Sequence, residues 1–286
     1  STYGYGFDYD AGTLTVAQYD LTATIATVSA TYGAGVDAGS VSLNQIGDDV
    51  VGVTASIVSP VYSNASKLKA GSYSQITGVT ANLTGADAAN YTLSATTRAN
   101  SVSVAPKAIT YDIAAGNITY GAADAAGSIS YSALETGDDV SASAQIDDRA
   151  LSTAGKLKAG TYAQSINGSH AGVDKDNYTI TLGTANSYVV GKQAITYDIA
   201  AGNITYGAAD AAGSISYSAL ETGDDVSASA QIDDRALSTA GKLKAGTYAQ
   251  SINGSHAGVD KDNYTITLGT ANSYVVGKQA ITYDIA

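Results

Sequence analysis

Residues 108–147 read AITYDIAAGNITYGAADAAGSISYSALETGDDVSASAQID, and the spacing of their apolar side chains decides the fold. Ile109, Tyr111 and Ile113 alternate with Thr110 and Asp112. Ile129 and Tyr131 alternate with Ser128, Ser130 and Ser132, and Val140, Ala142, Ala144 and Ile146 with Ser141, Ser143 and Gln145. A two-residue period places Ile, Val and Tyr on one face of an extended chain and Ser, Thr and Asp on the other. Downstream, Tyr178, Ile180 and Leu182 repeat the pattern, with shorter runs at Ile118–Tyr120, Tyr162–Ile166 and Tyr188–Val190. Clusters of Gly, Asn and Asp bound each run and act as turn formers. No stretch carries a helical apolar stripe; residues 149–157 read as a loop or one helical turn.

The whole pattern recurs. Residues 108–200 return unchanged as 194–286, and Ile109, Ile195 and Ile281 open the same phrase 86 residues apart. A divergent copy precedes them. Thr31-Tyr32-Gly33 matches Thr119-Tyr120-Gly121, and Gly47-Asp48-Asp49-Val50 matches Gly137-Asp138-Asp139-Val140. Lys67-Leu68-Lys69-Ala70-Gly71 matches residues 156–160, and Asn90-Tyr91-Thr92-Leu93 matches Asn177-Tyr178-Thr179-Ile180. The boundaries read as 1–18, the tail of a preceding repeat; 19–107, a divergent repeat; 108–193 and 194–279, two identical repeats; and 280–286, the start of another. The expectation is an all-β protein of tandem small antiparallel β-sandwiches, Ig-like or related, forming an extended rod. The phrase VVGKQAITYD leaves almost no linker, so each repeat should add roughly 30–40 Å at about 3.3 Å rise per residue.

Composition narrows the function classes. Of 286 residues 31 are Gly, Tyr supplies 21 aromatics, Phe occurs once, and Trp, Cys and Met are absent. Without Cys there is no disulfide, thiolate metal site or thiol nucleophile. The net charge is −12, carried almost wholly by Asp, which suits turns and offers nucleic acid no basic patch. No apolar run reaches the ~20 residues of a membrane span, and the opening residues, without a positively charged start and an apolar core, give no expectation of a signal peptide in this stretch. The chain reads as a portion of a longer protein.

Few residues invite chemistry, and the expectation is no catalytic site. His170 and His256 sit in the loop NGSHAG, where a surface position is expected and nothing fixes a Ser-His-Asp triad. The pairs Asp138-Asp139, Asp147-Asp148, Asp224-Asp225 and Asp233-Asp234 read as turn residues, since neighbours on a strand face opposite ways. Calcium is the sharpest candidate ligand: Asp174, Asp176 and Asn177, repeated as Asp260, Asp262 and Asn263, offer hard oxygens in a Gly-containing loop. The divergent copy replaces Asp176 with Ala89 but keeps Asp87 and Asn90, which favours an ordinary turn and no cofactor. A Lys–Asn isopeptide crosslink would need Lys156 or Lys158 buried beside an Asn and Glu135. Tyr111, Tyr131 and Tyr178 fall on the inward face, whereas Tyr120 and Tyr162, near loops, stay open to stacking on sugars.

The repeats resemble the YDG and MBG-type repeats of large filamentous-haemagglutinin-like adhesins exported by two-partner secretion. The resemblance rests on Tyr19-Asp20, Tyr111-Asp112 and Tyr197-Asp198, on the Gly-Asp-Asp-Val turn, and on Leu83-Thr84-Gly85-Ala86-Asp87-Ala88-Ala89-Asn90-Tyr91-Thr92-Leu93. Leu21, Ile113 and Ile199 stand where that signature has its Gly, and the identical copies carry GVDKDNYTI in place of GADAANYTL. The resemblance implies a secreted, extracellular, cell-surface fibre with a stalk role in adhesion or a biofilm matrix. Its expected partners are a matrix polysaccharide, a host or neighbouring cell surface, or further copies of itself. The alternative is a glycan- or exopolysaccharide-binding repeat acting through avidity.

Overall fold

The structure, a computed structural model, describes residues 4–5 and 10–285; residues 1–3 and 6–9 of the expected leading tail, and Ala286, lie outside the described residues. The class is all-β: short strands and single turns of 3-10 helix make up the regular structure of the described residues. The chain divides into two compact units. One comprises 1–110, 131–141 and 170–181, the other 111–130, 142–169 and 182–286. The units interleave in sequence, and neither follows the 86-residue period.

The third copy shows how the alternating segments pair. Gln193–Ile199 lies centrally, antiparallel to Ile215–Tyr217 and parallel to Tyr264–Ala271, with Gln193 opposite Tyr264 and Tyr197 opposite Leu268. Tyr274–Gly277 is the centre of a second sheet, parallel to Gly202–Thr205 and antiparallel to Gly246–Tyr248. Ala230–Ile232 and Gln250–Ile252 form a separate antiparallel pair. The expectation of antiparallel sheets is therefore corrected: the sheets are mixed. Side-chain alternation reports which face is buried but not strand direction, and the parallel partners are some seventy residues apart in sequence, enough for the crossover a parallel pair requires.

The expected run from Val140 to Ile146 is a strand only at Ala144–Ile146, and the run from Tyr162 to Ile166 breaks into Gly160–Tyr162 and Gln164–Ile166. The ambiguous stretch 149–157 is a tight reversal closed by a bridge between Leu151 and Leu157. Lys192 alone separates Tyr188–Gly191 from Gln193–Ile199, which makes the link between these copies short.

A buried glutamine holds the middle of each copy. Gln164 Nε2 donates to the carbonyls of Ala114 (3.0 Å) and Asn186 (2.7 Å), while its Oε1 accepts from the Gly127 amide (2.6 Å). Gln250 repeats the set with Ala200, Asn272 and Gly213. A Cβ on Gly127 would lie 1.9 Å from the Ala114 carbonyl oxygen, so glycine is required for this approach.

Two cores stay within single copies, Leu21, Ala23, Tyr91 and Leu93 in the first and Ile232, Leu243, Tyr274 and Val276 in the third, but two others cross the repeat boundaries. In the first unit one core joins Tyr32, Leu68, Val102 and Val104 of the first copy to Ile109 and Tyr178 of the second. In the second unit Tyr120, Ile146, Leu157, Tyr188 and Val190 of the second copy pack with Ile195 and Tyr264 of the third. The second copy thus gives one layer to the copy before it and another to the copy after it. This cross-boundary packing sets the interleaved limits of the units.

Candidate functional site: the junction between successive repeats

Each unit holds one junction, and the two share one chemistry. The earlier copy supplies a donor side and the later copy an acceptor side. On the donor side, Tyr120 follows a short strand and precedes Gly121, whose φ is +90°. Its hydroxyl lies 2.7 Å from Ser152 Oγ and donates to Asp224 Oδ2 at 2.5 Å. Tyr264 donates to the same oxygen at 2.6 Å, and its ring meets that of Tyr120 edge to face at 5.2 Å. Asp224 Oδ1 accepts from the Ala154 amide at 3.2 Å. The first unit repeats this with Tyr32, Ser63, Tyr178, Asp138 and the Ala65 amide. Gly33 and Gly121, which follow the tyrosines, have φ of +93° and +90°, a left-handed backbone that favours glycine.

A second carboxylate is deeper. Asp174 is fully buried, and its Oδ2 accepts from the amides of Asp139 (3.1 Å) and Asn64 (3.4 Å). Its Oδ1 pairs with Lys69 Nζ at 3.1 Å, and Lys69 also donates to the Val173 carbonyl. Asn177 Oδ1 accepts from the Ala70 amide at 2.9 Å. In the second unit Asp260 accepts from the amides of Asp225 (3.0 Å) and Thr153 (3.2 Å) and from the Thr153 hydroxyl. Lys158 lies 3.6 Å from Asp260 Oδ1, and Asn263 Oδ1 takes the Ala159 amide at 2.9 Å. The later copy thus satisfies backbone amides of the earlier copy's loop, which is the requirement for burying it.

The electrostatics follow from this arrangement. Burial, reinforced by the hydrogen bond to Asp138, raises Tyr32 to about 12. Burial and Asp224 do the same to Tyr120, also to about 12. Burial alone would raise Asp138, but hydrogen bonds from Tyr178, Tyr32 and the Ala65 amide outweigh it and hold the carboxyl below the ordinary Asp range. Burial is likewise outweighed at Asp260, chiefly by the Thr153 hydroxyl and the Asp225 and Thr153 amides.

The sequence candidates for calcium separate here. Asp174 and Asn177 come together in the junction, as do Asp260 and Asn263. Asp176 and Asp262 point to solvent and pair with Lys175 and Lys261. Among the described residues no cluster of three or more His, Asp or Glu is arranged to hold a metal ion. Lys158 stands beside Asp260, Lys156 donates to the Gly121 carbonyl, and Glu135 pairs with Lys107.

The histidines differ from the expectation of a surface loop. His170 and His256 are half-buried, with Nδ1 2.9 Å from the hydroxyls of Tyr131 and Tyr217, and burial lowers both below the ordinary His range. Tyr120 is 2% exposed and Tyr162 packs on the same core, so neither offers a face to a sugar.

The structure also refines the alignment of the copies. Tyr178 donates to Asp138, and Tyr91 donates to Asp49, the second Asp of Gly-Asp-Asp-Val rather than the first. Val50 therefore stands for Asp139, and its amide bonds Asp87 as that of Asp139 bonds Asp174. Tyr19 pairs with Tyr91 as Gln193 pairs with Tyr264, so Tyr19-Asp20 does not occupy the place of Tyr197-Asp198.

No family model and no curated protein matches the chain significantly. Among solved structures, the Bacillus anthracis TIE protein aligns at 9% identity over 90% of this chain, with a TM-score of 0.24. The chain spans 58% of that structure's length. A likeness this weak defines neither fold nor function.

Proposed function

We propose that this chain is a stretch of structural spacer repeats, part of the stalk of a secreted surface adhesin or matrix fibre. The observation that supports this reading most is that two of the hydrophobic cores are shared between consecutive copies. A module built to transmit length commits both ends to its neighbours, as repeat architectures do. Tandem sandwich-like repeats in an extended rod are part of the same proposal. The expected result of small-angle scattering is a radius of gyration well above the roughly 19 Å of a compact domain of this length. A compact value would overturn the rod.

The reading as a glycan-binding repeat has less support. Tyr62 is an exposed tyrosine beside a cavity lined by Ala34, Val36, Ile57 and Lys67, but Leu151 and Leu237 take its place in the other copies. Avidity needs a site in every copy. Binding of matrix polysaccharide by this chain with micromolar affinity would restore that reading.

A further inference from the structure

His256 caps a pair of tyrosines. Tyr197 and Tyr217 stand opposite one another on antiparallel strands, and the imidazole meets both rings, at 4.9 and 5.6 Å. Its Nδ1 lies 2.9 Å from the Tyr217 hydroxyl. Burial raises Tyr217, so the hydroxyl keeps its proton and donates it to a neutral imidazole. The residues that follow carry this position to the acceptor side of the junction. Ala257 exchanges two backbone hydrogen bonds with Ser227, at 3.0 and 2.8 Å. Gly258 has a φ of +103°, and a Cβ there would lie 2.1 Å from the Asp225 carbonyl oxygen. The Val259 amide donates to Asp225 Oδ2 and the Asp260 amide to the Asp225 carbonyl. Asp260, which takes the Thr153 amide of the earlier copy, comes four positions after the histidine. The second copy repeats this path with Tyr131, His170, Ala171, Gly172 and Asp139, leading to Asp174. The chain's two histidines thus serve its two junctions, each on the later side.

From this geometry we infer that the two histidines make the junctions acid-responsive: a proton on the imidazole loosens the loop that presents Asp174 or Asp260, and the earlier copy's amides lose their acceptor. This inference rests on the reading of the junction as a fastening between copies. A protonated imidazole carries N–H on both nitrogens, so the Tyr217 hydroxyl must turn to accept, and a charge is placed in a half-buried site. Nothing nearby is left to balance it. Lys261 and Asp262 line a cavity of about 290 Å³ beside His256, but they pair with one another. Across the loop, Asp225 is engaged by the Val259 amide. The remaining titratable neighbours, Tyr197, Tyr217 and Tyr264, are neutral in the range where histidine titrates. Burial lowers both histidines, so the folded chain favours the neutral form. The stabilisation is complete above the ordinary histidine value of about 6.5 and is lost as pH falls through the lowered value. Asp260 is held below the ordinary Asp range, so its own titration comes at lower pH still.

The test is NMR on the whole 286-residue chain, titrated from about pH 7.5 to about 5, with the two imidazole rings followed directly. The expected result is that both rings titrate below the ordinary value. Over the same range the Ala154 and Ala159 amides, corrected for the intrinsic pH dependence of exchange, open at least about threefold more often. In the double variant His170→Asn, His256→Asn the tyrosine hydroxyls keep an acceptor and nothing titrates, so the acceleration is absent. Where circular dichroism shows that variant unfolded, the pair Tyr131→Phe and Tyr217→Phe takes its place. It removes the donor, moves the histidine titration up towards the ordinary value and flattens the acceleration. Rings that titrate at or above the ordinary value overturn the inference. So do amides whose protection is unchanged while the rings are protonated, a result that leaves the junction itself standing. Amides unprotected even at the upper pH remove the fastening together with its switch.

Discussion

Residues 152–159 and 238–245 have the same sequence, and only one of them is covered. In the first, Ser152, the Ala154 and Ala159 amides and Lys158 meet Asp224, Asp260 and Asn263 of the next copy. In the second the same groups face solvent or stand half-buried. The difference teaches that a repeat's stability resides at its boundary, and that a segment's structure is set by its neighbour as much as by its own residues. Nearest-neighbour coupling of this kind makes an array behave as a one-dimensional cooperative system.

The largest expected contrast is in amide exchange. The Ala154 and Ala159 amides, bonded to buried acceptors, should exchange orders of magnitude more slowly than those of Ala240 and Ala245. NMR must read it, because proteolytic peptides from the two segments are identical. Equal rates would remove the distinction between covered and open ends. Next comes Tyr120→Ala, which empties a core position and leaves Asp224 short of a donor. It should destabilise its unit by about 3–5 kcal/mol, against about 1–2 kcal/mol for Tyr206→Ala, read from chemical denaturation. Asp260→Ala, which strands the Thr153 and Asp225 amides, should cost about 3 kcal/mol. The counterpart change at half-buried Asp87, which accepts from the Val50 amide, should cost less, about 1 kcal/mol. Asn263→Ala should cost about 1 kcal/mol, and Asn90→Ala close to nothing.

The smallest contrast is with pH. Tyr32 and Tyr120 are raised to about 12, so their contribution is complete below the ordinary tyrosine value near 10 and fades between pH 10 and 12. Asp138 is depressed, so its contribution is complete above the ordinary Asp range and fades as pH falls through its lowered value. Thermal melts at high pH should therefore lose stability ahead of general alkaline unfolding. The Tyr120→Phe variant should lose less over that window.

The all-β class was legible because burial of Ile109, Tyr111 and Ile113 follows the two-residue alternation. The parallel pairing was not, since alternation is blind to direction. The junction was half legible. The segments that align the divergent copy with the others are Thr31-Tyr32-Gly33, Lys67–Gly71, the paired Asp residues and Asn90-Tyr91. They are the segments that form the donor and acceptor sides. Their recurrence signalled a shared task, but sequence could not say that the partners sit in different copies. Asp174 and Asn177 stood out as oxygen ligands for the same reason that they suit the junction: both are good acceptors. What they accept from is backbone N–H, and no composition rule identifies that donor. The glutamines at 164 and 250 carried no signal, because a buried amide and a surface amide read alike.

Because every join uses the same two complementary faces, loss or gain of one whole 86-residue period would leave all remaining joins intact. Removal of half a period would delete residues of both faces at once, since donor residues 120 and 152–159 alternate along the copy with acceptor residues 138–139 and 174–178. The architecture therefore has a natural unit of length change. An array of this kind can be lengthened or shortened by whole steps while each connection keeps its strength.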